Sequence, residues 1–435
     1  MDLLSSPALI LSVAFCGLLA FGVPISYATG LASIATLLTI MPPLPALSVT
    51  AQRIATGLDS FALLAIPFFF MAGSIMNRGG IARRLIDCAK VFVGWLPGPL
   101  AQITVLANMM FGCVSGSAVA AASAIGGTMQ PSMDKAGYDR SYSAAVNISS
   151  CITGLLIPPS GAFIVYSLVS GGTSIAALFL AGYLPGILLG IAVMIPAMLM
   201  ARKRGYSRLP PLSLSDSARA VVSAVPSLGL IVVVIGGIVG GVFTATEGSA
   251  IAVVYALVLA LVYRELSVRD LHQILLDTIE ATAVVALMVG TSMAMAYVMS
   301  LAEIPQIIGD WVQSVSDNAV VALLLVNIVL LLMGTFLDIT PGILIFTPIF
   351  LPVLVELGVD PVHFGVILVF NLCLGIVSPP TGSALFIGCA IARVSIEQVT
   401  RPLIPLFAWS TAALLVVTYV PGLSLWLPRL FGLIQ

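Results

Sequence analysis

Pro158-Pro159-Ser160-Gly161 recurs as Pro379-Pro380-Thr381-Gly382, 221 residues further on (379 − 158 = 221). The same offset places Gly137, Asp139 and Gly154 on Gly358, Asp360 and Gly375, Pro131 on Pro352, and Ser174-Ile175 on Ser395-Ile396. Both phrases interrupt apolar sequence. Proline removes a backbone donor and clashes with the preceding turn, so two in succession end a helix. At membrane depth the carbonyls freed just upstream must find a partner. A sodium ion suits them, with the Ser160 or Thr381 hydroxyl completing its shell. The helix that restarts after Gly161 or Gly382 presents its positive end, which suits a carboxylate. A single such break reads as a structural kink; interruptions at matched places in two halves favour a transport site built from broken helices.

Composition puts this pattern in a membrane. The 435 residues are 60% hydrophobic and 8% charged, against about 25% charged in a soluble domain. A formal net charge of −1 lacks the basic excess that nucleic-acid binding requires. Six cysteines are scattered without a CxxC pair and read as small apolar packers. Only His272 and His363 are available as histidines, which argues against a catalytic or metal cluster. No Lys or Arg precedes Arg53, so the basic region of a signal peptide is missing. The first 40 residues are expected to be retained as membrane helix, either one span kinked at Gly22-Val23-Pro24 or two tilted ones.

Apolar stretches of roughly 20 residues fall near 8–22, 24–41, 60–77, 91–111, 141–168, 175–201, 221–243, 247–263, 272–300, 319–337, 362–376, 383–392 and 402–420. Segments 112–131 and 338–356 carry Gly, Ser, Thr and Pro at a density unsuited to lipid contact and are predicted to be re-entrant helical hairpins. Basic residues cluster at Arg78, Arg83, Arg84 and Lys90, at Arg202, Lys203, Arg204, Arg208 and Arg219, and more weakly at Arg264/Arg269 and Arg393/Arg401. The 303–317 loop holds Glu303, Asp310 and Asp317 and no base. The positive-inside rule puts the basic loops in the cytoplasm and 303–317 outside.

Several residues invite a chemical role. Ser115-Gly116-Ser117-Ala118-Val119-Ala120 is either a packing seam of small residues or a source of hydroxyl ligands. No GxSxG surrounds its serines, so a nucleophile is not indicated. Asp338 follows the apolar run 319–333; an ionised group there costs at least ~2.5 kcal/mol unless it faces protein or water. It reads as an ion ligand at a hairpin tip, or as a helix N-cap. Thr244-Ala245-Thr246-Glu247 matches a capping box. Gly186/Gly190, Gly236/Gly240 and Gly237/Gly241 read as close helix contacts, and Asn147 and Asn371 as polar glue between helices.

In order along nearly the whole chain come LLAIPFFFMAG and NRGGIARRL (63–85), SGSAVA (115–120), GYDRSYSAAV (137–146), IPPS (157–160), SIAALFLAGYLPGILLG (174–190), FTATEGSAIAVVYAL (243–257), VDPVHFGVI (359–367) and SPPTG (378–382). In these the chain resembles the large, DctM-like membrane subunit of tripartite ATP-independent periplasmic (TRAP) transporters, within the ion transporter superfamily. The resemblance implies an all-α polytopic protein of about 11–12 transmembrane helices, with two re-entrant hairpins in an inverted repeat and an elevator motion. It implies residence in the bacterial inner membrane, sodium as the coupling ion, no other cofactor and no catalytic residue. The implied partners are a small four-helix membrane subunit, a periplasmic substrate-binding protein, an organic acid as substrate, and membrane lipid. Carried onto these positions, sodium site 1 is Ser115, Ser117, Pro158 and Ser160. Sodium site 2 is Asp338, Thr340, Ser378, Pro379 and Thr381. Substrate falls to Ser160, Gly161, Thr381 and Gly382. The family usually continues SGSAVA with an aspartate, where this chain has Ala121, so site 1 lacks a negative charge.

The expected domains are scaffold helices in 1–90, a first transport half with hairpin 1 in 91–201, a polar cytoplasmic linker and central scaffold helices in 202–318, and a second transport half with hairpin 2 and a C-terminal helix in 319–435. The function expected is sodium-coupled import of a carboxylate-bearing acid delivered by a binding protein. A stand-alone ion-coupled anion carrier of related fold is the alternative. An intramembrane enzyme lacks its nucleophile–base pair, and a passive channel has no need of two restarted helices around an occluded site.

Overall fold

The computed structural model describes residues 6–206, 213–315 and 318–434, and among them every regular element is helical. Arg208 and Asp317, counted above in the charge pattern, lie outside the described residues. Seven helices are long and apolar enough to cross a membrane, or eight if the bent pair Arg140–Leu156 and Gly161–Val169 is one span; further apolar helices have 10–17 residues.

The 221-residue offset governs the architecture. Helices start at Ala118, Arg140 and Ile175 in one half and at Ile339, Pro361 and Ile396 in the other, each pair separated by 221. The starts are fixed by matched caps. The Asp139 carboxylate accepts from the Tyr142 amide and Asp360 from the Val362 amide, while the Ser174 and Ser395 hydroxyls accept from Ala177 and Gln398. Each cap satisfies amides that helix geometry leaves without partners.

Each half holds a hairpin. The first comprises Pro99–Ser115 and Ala118–Lys135, the second Ala319–Gly334 and Ile339–Glu356. Both are larger than the sequence suggested: 112–131 and 338–356 are tip and return arm, and the stretches read as spans at 91–111 and 319–337 supply the ingoing arms. The 17-residue Pro99–Ser115 helix is ~25 Å long against a hydrocarbon core of ~30 Å, so it stops short of the far side. The first hairpin turns through Gly116 at φ +63°, a left-handed conformation that glycine adopts without cost. The second turns without glycine, the Thr335, Phe336 and Leu337 amides bonding back to the Leu332 and Met333 carbonyls.

After each hairpin comes a broken helix. In the first half Arg140–Cys151 and the short turn Thr153–Leu156 end at the proline pair, and Gly161–Val169 restarts with a bend of 51°. In the second, Pro361–Gly375 ends before the pair and Ser383–Ala392 restarts. The Pro158-Pro159 and Pro379-Pro380 bonds are both cis. The restarted helix of each half packs on the return arm of the other half's hairpin, Gly161–Val169 on Ile339–Glu356 and Ser383–Ala392 on Ala118–Lys135. Tyr166 locks the halves further by donating its hydroxyl to the Pro361 carbonyl at 2.6 Å.

Two asparagine pairs bind each hairpin to its own broken helix. Asn108 donates to Asn147 Oδ1 at 3.1 Å and to the Ser150 hydroxyl at 2.7 Å, and Asn147 donates to the Ala122 carbonyl at 3.0 Å. In the second half Asn371 donates to Asn327 Oδ1 at 2.6 Å, and Asn327 to the Thr418 hydroxyl at 3.2 Å. The polar-glue reading of Asn147 and Asn371 therefore holds. Close backbone approach reinforces the joint: a Cβ on Gly154 would strike the Gly112 backbone, and one on Gly375 the Gly334 backbone.

Around the duplicated units run Phe61–Arg78, Leu214–Val239, Ala245–Tyr263 and Arg269–Leu301. Thr244 and Glu247 form the expected capping box, the carboxylate accepting from the Thr244 amide at 2.7 Å. Gly186 and Gly190 do meet neighbouring segments, at Ile157 and Met109. Gly236 and Gly241 face open space and Gly237 accommodates the nearby Phe243 ring, so those spacings serve a local turn instead. At the start of the chain, Pro7–Ala20 and Ile25–Ile40 are two short helices folded back on each other, Leu11 packing with Ala32 and Leu37. The acidic 303–317 stretch is mostly helix, Ile304–Val315.

We expect Gly154→Ala and Gly375→Ala each to destabilise the protein by about 1–3 kcal/mol, the cost of overpacking a tight contact, whereas Gly127→Ala, with nothing within 4 Å of the new methyl, is tolerated. Thermal unfolding in detergent measures this. Equal melting temperatures for all three would contradict the backbone contacts.

Candidate functional site

Helices begin with four amide donors that lack intrahelical partners and carry partial positive charge. Four helix starts gather around one cavity of about 660 Å³: Ser117 to Val119 and Asp338 to Pro341 from the hairpin tips, Gly161 and Ala162 from the first restart, Ser383 from the second. The wall opposite comes from outside the repeat, with Pro24 to Ser26, Ile66 and Phe70, and a face of the Arg269–Leu301 helix running from Asp277 to Met288.

The four starts differ in what their amides already hold. The Ser117 hydroxyl accepts from the Ala120 amide at 3.2 Å and Asp338 Oδ1 from the Ile339 amide at 2.9 Å. Ser160 and Gly382, which precede the two restarts, make no side-chain cap. The two breaks are also unequal. At the second, the Ile376 carbonyl accepts from Ala384, the Ser378 carbonyl from Gly382, and the Gly375 carbonyl from the Ser378 amide and hydroxyl. The Thr381 hydroxyl donates to the Thr335 carbonyl at 2.6 Å, tying the break to the second hairpin tip. Counterparts of these backbone bonds do not occur at the first break, and the Ser160 hydroxyl, 1% exposed, has no protein partner.

Of the residues assigned from sequence, Ser117, Gly161, Asp338 and Thr340 line the cavity. Ser115 is buried beside it, its carbonyl against Gly73, and its hydroxyl donates weakly to the Ser117 carbonyl at 3.4 Å. Pro158 and Ser160 are buried behind the first restart, and Ser378 behind the second break. Pro379 is half-buried, Thr381 is exposed and Gly382 buried, and none of the three reaches the cavity wall. Asp338 is both things the sequence allowed, a helix N-cap and a cavity carboxylate, and it is exposed to that space and not buried in protein. Ala121 is fully buried.

Three carboxylates line the cavity, Asp277, Glu280 and Asp338, and no basic side chain does. Arg78 holds Asp277 at 3.0 Å from outside, which puts that rim toward the basic loop. Any negative group that binds here is met by helix ends, and any small cation by Asp338, hydroxyls and carbonyls. The sequence reading missed Ser383, Asp277 and the Pro24–Ser26 wall, and left Glu280 unassigned. Ser383 had a signal, being the first residue after the second Pro-Pro-Thr-Gly phrase. Asp277 and Glu280 are three apart on one helix face, a spacing equally usual at a membrane boundary.

A family model described as "Tripartite ATP-independent periplasmic transporter, DctM component" matches residues 12–423. The chain is 52% identical over 426 residues to the Salmonella typhimurium protein YgiK, covering 98% of each chain. It is 38% identical to the sialic acid TRAP transporter large permease protein SiaM of Vibrio cholerae, covering 95% of this chain and 97% of that one. Among solved structures, the YdaH transporter of Alcanivorax borkumensis superposes with a TM-score of 0.62 at 12% identity, over 88% of this chain and 90% of that one, a likeness of fold.

Thr381→Val removes the one side-chain hydrogen bond between the second break and its hairpin tip. The expected loss is ~1 kcal/mol, read as a lowered melting temperature in detergent, while Ser160→Ala, which breaks no protein bond, leaves it unchanged in sodium-free buffer. A Thr381→Val protein as stable as its parent would dismiss the tie.

Proposed function

The chain belongs to the DctM component family of tripartite ATP-independent periplasmic transporters, and from that premise we propose that it is the permease of a sodium-coupled importer for a carboxylate-bearing organic acid. It is a multi-pass inner-membrane protein, and its relatives are transporter permeases, not enzymes. The observation that carries the reading is the meeting of four helix starts, two from each half, around one cavity.

A helix start stabilises an anion by roughly 0.3–1 kcal/mol, and by up to ~2 when partly buried. Several converging on one group reach an order of magnitude suited to holding a carboxylate without an arginine. Both restarts lack a side-chain cap, and the first is the better donor, because the Ala384 amide of the second is already bonded to the Ile376 carbonyl. Relief of like charge argues for a cation: Asp338 stands in the same space, and a sodium ion beside it offsets its repulsion of the substrate. That is the coupling, a difference in substrate affinity between sodium-loaded and empty states.

Two sodium positions follow. Site 2 is built on Asp338 and Thr340, with Ser378, Pro379 and Thr381 supporting the second tip from behind. Site 1 is built on Ser115, Ser117, Pro158 and Ser160. It has no carboxylate, since Ala121 stands where the family usually has aspartate, yet the free Ser160 hydroxyl and the unbonded break favour a cation there. The substrate meets the first residues of the two restarted helices, Gly161 and Ser383, while Ser160, Thr381 and Gly382 set those helix ends from behind the cavity wall. In the proposed division of labour, 91–201 and 319–435 move as one body by an elevator stroke. Segments 1–90 and 202–318 stay fixed with a small four-helix subunit, and a periplasmic binding protein delivers the acid. Within the lipid core a charge-compensated load crosses at lower cost than a bare one.

Reconstituted in proteoliposomes with those two partners, the protein is expected to accumulate substrate only under an inward sodium gradient. Uptake indifferent to that gradient overturns the coupling. Asp338→Ala is expected to abolish uptake while the detergent-solubilised protein stays folded; normal uptake by this variant would remove Asp338 from the site.

A further inference from the structure

A second cavity, of about 220 Å³, lies among Arg83, Ile86, Asp87, Lys90, Leu100, Thr128, Met129 and Ser132. We propose that it holds the phosphodiester headgroup of an anionic membrane phospholipid, clasped between the Ile81–Val93 helix and the return arm of the first hairpin.

The residues come in two facing rows. Arg83, Asp87 and Lys90 are spaced i, i+4, i+7 on the Ile81–Val93 helix, and Thr128 and Ser132 i, i+4 on Ala118–Lys135. Such spacings put each row on one helix face. The two rows bring two cations, one carboxylate and two hydroxyls to one space, a net charge of +1 that matches one phosphodiester.

Arg83 gives the site its direction. Arg78 reaches Asp277 on another helix, Arg84 reaches Glu265 in the loop before that helix, and Lys90 holds Asp87 at 2.6 Å, but Arg83 has no ion pair among the described residues. It is exposed at the cavity with its charge unanswered. Guanidinium and ammonium groups bind phosphate oxygens through short charge-assisted bonds, and hydroxyls complete the shell.

The source is the membrane because of where the cavity sits. The Ile81–Val93 helix buries Leu85, Ile86, Ala89 and Val93 and carries the basic loop assigned to the cytoplasmic surface. In its last turn Phe92 is 56% exposed, and just past its end Trp95 is 72% exposed. Exposed aromatic rings beside a basic amphipathic helix belong at headgroup level, and basic pockets between helices on that side take lipid headgroups. Leu100, Met129 and Ile86 supply an apolar floor for the glycerol end. Since one row stands on the helix before the first hairpin and the other on that hairpin's return arm, a bound lipid ties the two.

The test is native mass spectrometry of the full chain in detergent, titrated separately with dioctanoyl phosphatidylglycerol, dioctanoyl phosphatidylcholine and inorganic phosphate. The expected result is one tightly held phosphatidylglycerol at concentrations where the other two do not bind. Arg83→Gln combined with Lys90→Gln should weaken it about tenfold or more, a difference of ~1.4 kcal/mol. Thr128→Val with Ser132→Ala should weaken it in the same direction without altering charge, and decides the matter if the first pair fails to fold. Equal retention of phosphatidylcholine, binding unchanged in the folded variants, or inorganic phosphate binding as well as the lipid would each overturn the proposal.

Discussion

A backbone amide or carbonyl in hydrocarbon must have a partner, because an orphan there costs several kcal/mol. An uninterrupted helix meets that demand within itself. Among the described residues this chain departs from such helices at two hairpin tips and two proline breaks within its apolar segments, so the protein around those places exists to shelter them. The asparagine pairs, the glycine contacts and the exchange of restarted helices between halves all hold irregular backbone inside protein. What shelter leaves over is helix starts facing a common space, the feature on which the proposed binding rests.

The two halves share a plan and differ in how fully it is satisfied. At the second break the freed carbonyls and the Thr381 hydroxyl already have partners. At the first, Ser160 has none. The second half keeps the acidic tip residue, Asp338, where the same offset gives Ser117 in the first (338 − 221 = 117). One break therefore relies on internal bonds plus a carboxylate, the other on vacant oxygens without one. A duplicated unit has become two unequal polar environments facing the same cavity.

Much of this was legible in the sequence because it is local. Proline pairs and the capping box at Thr244 each act over a few residues, and the offset revealed the repeat and singled out Asp139, Asp360, Ser174 and Ser395, whose capping role the structure adds. The hairpin arms were misread as spans at 91–111 and 319–337 because apolar composition does not report length against bilayer thickness. What no local pattern holds is which faces meet. Ser160 and Thr381 occupy equivalent positions, yet one is buried without a partner and the other exposed and bonded to Thr335. Asp277 and Glu280 join the cavity from a helix outside the repeat, where no internal comparison points to them.

The most direct measurement is a cryo-electron microscopy map of the transporter with sodium and its delivered acid bound. The account predicts carboxylate density against the backbone amides of the two restarted helices, at Gly161–Ala162 and Ser383, with an ion beside Asp338. A substrate carboxylate held by a basic side chain elsewhere, with those helix starts unoccupied, would contradict it.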